Sequence, residues 1–264
     1  MMEKYLQKIK DGCAKRGVND FEIYLKRTCG VSLTVKDKTL DASENEMSLG
    51  FGLRVRMNDE GHFPCLGFSF GRAFDENSIG LVIDQAVAGG RVVTPNADTG
   101  WPPRGWPEGK SDYSPIQNYD PDLGRISSEE KKKMALTLEC EAMAFDAKIR
   151  RVRHATYHES IDEVCLFNSS GLDVSHQKSG LSLSLMPVAE SGGASERFYD
   201  FVSTPIWHKL DPVSLARSTA KMAVDLLGGR RIPNYRGPVI LHPAVAVALL
   251  EVFIIDNGVF RSIG

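Results

Sequence analysis

Apolar positions set the elements along this chain. Leu6, Ile9 and Cys13 recur with helical spacing between residues 3 and 16, and Gly17 follows as a stop, which predicts an amphipathic helix with a glycine cap. Alternation then takes over. Phe21, Ile23 and Leu25 share one face, Val31, Leu33 and Val35 another, and Leu49, Phe51, Leu53, Val55 and Met57 alternate with small or polar residues. These read as half-buried strands, and the gaps between them are too short for crossover helices, so they are expected to be antiparallel. A further strand is expected from Phe63 to Phe70. Ile79, Val82, Ile83, Ala86 and Val87 restore helical spacing up to Gly89-Gly90. Residues 1–93 thus predict a helix, a meander of about four or five strands, and a second helix.

Residues 94–126 show no period and are rich in proline, glycine and tryptophan, notably over Trp101 to Pro107. They read as a long connection. Ser127 with Glu130 three residues on forms a capping box, and Met134, Leu138, Ala142, Phe145 and Ile149 supply the stripe of the helix that follows. Strands are expected over Tyr157–Ile161, Glu163–Asn168, Leu172–His176, Leu181–Leu185 and Phe198–Val202, with turns at Ser169-Ser170-Gly171 and Gly192-Gly193. Asp211-Pro212 opens another helix, which stops at Gly228-Gly229. A short strand, a proline turn and an apolar helix close the chain between Pro238 and Asp256. The expected class is α+β, as two helix-plus-sheet modules (1–93 and 127–230, with antiparallel or mixed sheets) packed as layers, followed by the start of a C-terminal domain over 231–264.

Composition narrows the function classes. The chain has 264 residues, 42% hydrophobic and 25% charged, with a net charge of −2, an ordinary globular balance. That balance gives no footprint for nucleic acid. The basic runs Lys131-Lys132-Lys133 and Arg150-Arg151-Val152-Arg153 read as solvated helix ends. No apolar run reaches the roughly 18 residues of a membrane span, and no signal peptide is visible, so a cytoplasmic setting is expected. The five cysteines, Cys13, Cys29, Cys65, Cys140 and Cys165, form no Cys-x-x-Cys pair, which argues against a disulfide framework or a structural zinc.

Candidate chemistry is sparse. His154 and His158 with Glu159 look metal-like, but a zinc peptidase helix needs Glu directly after the first His, and this segment reads as strand. They are expected to be surface histidines. Gly105 to Ser111 is one residue short of a phosphate-binding loop and follows no strand, so it reads as linker. Gly50 and Gly52 sit inside a strand, where glycine permits a bulge or a close backbone approach. Cys165 reads as a packed strand residue. No catalytic residue is assigned.

Three segments in order resemble the TldD/PmbA family: Leu49 to Val55 with Gly67-Phe-Ser-Phe70; Asn168 to Ser175 through Ser182 to Glu190; and Asp211 to Ala216 through Gly228 to Pro243. Members of this family, also called modulators of DNA gyrase, are cytoplasmic metallopeptidases acting on peptides. The resemblance implies a branch point. One branch carries His-Glu-x-x-x-His on the helix after the Pro-Val-Ile-Leu-His-Pro-like strand, and the PmbA (TldE)-like branch lacks it and pairs with the metal-bearing subunit. Here the positions matching that motif are Glu251, Val252 and Asp256. Valine cannot act as a general base, and two carboxylates five apart suit zinc poorly. The resemblance therefore implies a PmbA/TldE-like subunit with no cofactor of its own. Zinc is expected in a TldD-like partner, or the chain forms a homodimer, with a peptide substrate in either case. The resemblance also implies a β-rich continuation that this chain lacks. Val245, Val247, Leu249, Leu250, Phe253, Ile254 and Ile255 would be covered by it or by a partner. The competing reading is a non-enzymatic interaction module that takes peptides by strand addition, an inactive relic of the family.

Overall fold

The computed structural model describes residues 2–57, 64–94, 117–231 and 233–252. Residues 95–116 of the segment 94–126 read as a linker, with all of the loop-like 105–111, lie outside these residues, as do Asp256 and the apolar positions 253–255. Two compact units are present, residues 1–227 and 228–264.

The first unit is built on one seven-stranded sheet. Its elements in chain order are α1 (Met2–Lys15), β1 (Phe21–Lys36), β2 (Thr39–Met57), β3 (Cys65–Gly71), α2 (Glu76–Gly90), α3 (Ser128–Phe145), β4 (Ile149–Asn168), β5 (Asp173–Ser191), β6 (Ala194–Arg197), β7 (Asp200–Thr204) and α4 (Pro212–Asp225). The strand order is β3-β2-β1-β4-β5-β6, with β7 also on β5. All pairings among the described strands are antiparallel. The α+β class is borne out. The two modules do not stack as layers, however. They join edge to edge, because β1 pairs with β4 from Glu22–Asn168 to Val35–Ala155.

Long strands replace several expected short ones. Phe21–Leu25 and Val31–Val35 belong to the single strand β1, and each pair of short strands expected over 157–168 and 172–185 is likewise one strand. The alternation lapses between Lys26 and Gly30 because that stretch crosses from one core to the other. Phe21, Ile23 and Leu25 pack with α1 and α2 residues such as Ile9, Ile79 and Ile83. Leu33 and Val35, on the same face, pack with Leu138, Tyr157, Leu183 and Ala220 under α3 and α4. Both cores therefore lie on one face of the sheet.

The caps follow the sequence. Ser127 Oγ accepts the Glu130 N–H at 3.3 Å while a Glu130 carboxylate oxygen accepts the Ser127 N–H at 2.9 Å, the expected capping box. Asp211 accepts from the backbone of Val213 and Ser214, both at 3.0 Å, ahead of Pro212. Gly17 takes the left-handed φ of +67° that ends α1. Turns stand at Gly171 and at Gly192-Gly193, all with positive φ.

The β1–β2 turn was not legible. Asp37 and Lys38 both have left-handed φ, 52° and 60°, as a two-residue hairpin of the primed kind requires. Neither residue is glycine. The buried Glu139 of α3 compensates by accepting both of their backbone N–H groups at 2.7 Å.

The second unit contains α5 (Pro243–Glu251). The expected strand before it is not formed: Val239 to His242 carry no strand among the described residues. Val245, Val247, Leu249 and Leu250 of α5 are exposed.

Candidate functional site

The residues singled out by sequence do not converge. Glu251 is the last residue of α5 and Val252 follows it, whereas Asp256 lies outside the described residues. His154 and His158 stand four apart on β4, a strand as expected. At about 3.3 Å per residue their Cα atoms are about 13 Å apart, too far to bind one ion between them. His154 packs its ring against Tyr199, and burial, then the Arg153 charge, hold its pKa below the usual histidine value. Glu159 is not a surface group. It is buried, Lys131 Nζ lies 2.6 Å from its Oε1, and the Tyr157 hydroxyl donates to its Oε2. Cys165 is half-buried on the core face of β4, and burial, then the Asp173 charge, raise its thiol pKa, which fits a packing role. Among the described residues no group of three or more His, Cys, Asp or Glu is placed to hold a metal.

Gly50 and Gly52 do serve close approach. A Cβ on Gly52 would stand 3.2 Å from the Phe68 ring, and one on Gly50 3.3 Å from the Gly71 carbonyl oxygen. Both contacts are across the β2–β3 pairing.

Topology supplies what the motifs do not. β3 pairs with β2 only over Phe51–Met57. The preceding residues, Thr39–Gly50, pair with β1 on one side and with no described strand on the other. This free edge is about 40 Å long at strand rise. Its residues 39–48 are exposed on both faces of the sheet. Edges of this kind present a row of unpaired backbone donors and acceptors that an extended chain can join.

The sheet face away from the helices adds side-chain character beside that edge. Phe68 and Phe70 of β3 stack there with ring centroids 6.4 Å apart, and both are exposed. Tyr24 stands opposite Gly52, which stands opposite Phe70, so the three strands share an apolar row. Further along, Asp162 accepts the Thr28 hydroxyl at 2.6 Å and lies 3.3 Å from both Lys26 Nζ and Lys178 Nζ. Burial pushes the Asp162 pKa up, but the Thr28, Lys26 and Lys178 contacts together outweigh it and hold the carboxyl below its usual range. This ladder spans β1, β4 and β5 and keeps the centre of the face polar. The arrangement suits recognition of an extended backbone.

Residues 121–227 match the sequence model of the PmbA/TldA metallopeptidase central domain. No curated protein matches the chain. Several solved structures share its fold. A candidate modulator of a DNA gyrase from Thermotoga maritima gives a TM-score of 0.71 at 19% identity, over 88% of this chain and 50% of that one. A counterpart from Bacteroides thetaiotaomicron gives 0.72 at 18%, over 87% and 51%. TldE from Thermococcus kodakarensis gives 0.66 at 16%, over 85% and 47%. The chain spans about half the length of the solved structures it matches. The one-sided sheet with its helices is thus the fold found in the gyrase-modulator and TldE structures. Over residues 121–227, the chain is thus similar to the central domain of the PmbA/TldA metallopeptidases.

Proposed function

We propose that this chain is a PmbA/TldE-like, non-metal subunit of a cytoplasmic TldD/TldE-type peptidase assembly, holding extended peptides for a zinc-bearing partner. The observation that carries the reading is the free edge of β2 over Thr39–Gly50, which offers backbone hydrogen bonds to an extended chain regardless of its sequence. The positions matching the family's metal motif support the division of labour, since Val252 provides neither ligand nor base. Peptide maturation and proteolysis are then properties of the assembly, with catalysis in the partner.

The test is co-purification with a metal-bearing TldD-type subunit, combined with hydrogen exchange on this chain. A stable complex is expected, with zinc and casein hydrolysis tracking the partner. Adding an unfolded casein peptide is expected to slow amide exchange within residues 39–50. Stoichiometric zinc and hydrolysis by this chain alone would overturn the subunit reading. Unchanged exchange along β2 would remove the strand-addition basis.

A further inference from the structure

The corner where β1 ends and β6 begins carries charge that strand addition does not use. A cavity of about 700 Å³ opens there. Lys36 of β1, Arg151 and Arg153 of β4 and Arg197 of β6 line it, so do Asp37 and Glu196, and four cationic side chains thus face two carboxylates.

The strand registers explain the gathering. Arg151 stands opposite Val188, and Val188 opposite Arg197. Laterally paired residues share a face, so the two guanidinium side chains flank Val188, with Cα atoms about 10 Å apart. The β4–β5 register slips between Val152 and Ala155, and this irregularity carries Arg153 into the same cavity. Arg151 is partnered by Glu190 Oε1 at 2.9 Å. Among the described residues no carboxylate pairs with the side chains of Lys36, Arg153 or Arg197. The adjacent His154 is biased toward its neutral form, first by burial and then by Arg153, in keeping with a positive local field.

We propose that this cavity binds an acidic peptide segment, taking two or more carboxylate side chains of an extended chain. The unpaired cations are spread from β1 to β6, three strand spacings or about 14 Å. A single small oxyanion cannot reach across that span, whereas carboxylates two residues apart on an extended peptide repeat about every 7 Å. Guanidinium forks pair well with carboxylates in two-pronged geometry. The inference rests on the reading of the chain as a peptide-gripping subunit and adds a preference to it.

The test uses the full chain and fluorescence anisotropy with a labelled Glu-Ser repeat peptide and its Gln-Ser counterpart. Inorganic phosphate is the competitor. The Glu peptide is expected to bind at least about tenfold more tightly than the Gln peptide, and that preference to shrink as salt is raised. In Arg153→Gln/Arg197→Gln, whose changes lie on exposed positions, the preference is expected to fall below about threefold with the circular dichroism spectrum unchanged. Lys36→Gln provides an independent variant and is expected to weaken the preference in the same direction. Equal binding of the two peptides, or a preference that survives these changes, overturns the acidic-peptide site and leaves the peptide-gripping reading standing. Phosphate binding without Glu-peptide binding assigns the cavity to a free oxyanion and also overturns it. Failure of both peptides to bind overturns the site and the peptide-gripping reading together.

Discussion

The Glu139 carboxylate on α3 accepts the backbone N–H groups of Asp37 and Lys38, each at 2.7 Å, across 101 to 102 residues of chain. One side chain from the second module thus holds the hairpin turn of the first. Each bond to a charged group is worth about 1.5–3 kcal/mol net, and both turn residues stand in the left-handed region. Glu139→Ala is expected to cost about 3–5 kcal/mol, read as a lower urea midpoint with an unchanged slope. Lys38→Gly, which relieves the left-handed φ, is expected to recover up to about 1 kcal/mol of it.

Tyr157 sets an alkaline limit. Burial, then its hydrogen bond to Glu159, push its hydroxyl pKa upward, so the folded chain keeps the proton while an unfolded chain releases it above about pH 10. The folded state then holds more protons than the unfolded one, and stability falls as pH rises past that point. Ultraviolet titration is expected to leave Tyr157 silent until the chain unfolds. Tyr157→Phe is expected to flatten this alkaline loss while lowering neutral stability by about 1–3 kcal/mol, because Glu159 loses a buried donor.

Gly67 is where β3 meets α2. A Cβ there would stand 1.8 Å from the Ala86 carbonyl oxygen and 2.7 Å from the Gly90 nitrogen, both backbone atoms that cannot swing away. Gly67→Ala is expected to cost about 3 kcal/mol or more and to lower the melting temperature. Gly124→Ala, whose Cβ would meet nothing within 4 Å, is the matched control and is expected to shift stability by less than about 0.5 kcal/mol.

The thiols divide by exposure. Burial raises the Cys13 pKa to about 12 against a smaller opposing pull from Arg16, so almost no thiolate forms at neutral pH. Cys140 is exposed. Mass spectrometry after brief treatment with a thiol reagent is expected to find Cys140 labelled and Cys13 unlabelled, with Cys13 reacting only in denaturant. Early labelling of Cys13 would mean that α1 opens in the native state.

Legibility followed the range of each interaction. The Ser127–Glu130 box, the Asp211-Pro212 start and the glycine turns are local, and all were readable. Gly30 lies buried within β1, between the two short strands expected there, and a Cβ on it would come 3.0 Å from the Glu159 carbonyl oxygen. Only the partner strand reveals that reason. Residues 39–48 carry no alternation because both of their faces meet solvent, so a strand with no buried side leaves no hydrophobic signature. The α+β class survived these misreadings because it depends on the elements and not on their boundaries.

The candidate surface was hidden for a similar reason. A free edge is a property of strand order, and nothing in Thr39–Gly50 states that β3 stops at Phe51. The Lys26–Asp162–Lys178 ladder joins residues far apart in sequence. Arg150 to Arg153 read as a solvated run because its companions, Lys36 and Arg197, come from strands that only the fold brings alongside.

The β1–β4 pairing also sets a schedule for making the protein. Arg27 on β1 meets Glu163 on β4, 136 residues later. At a ribosomal pace of about 5–20 residues per second, β1 waits on the order of 7–30 s for its second neighbour. Throughout that interval a newborn chain exposes a sixteen-residue strand edge, so slowing translation after β3 should lengthen its dependence on chaperones.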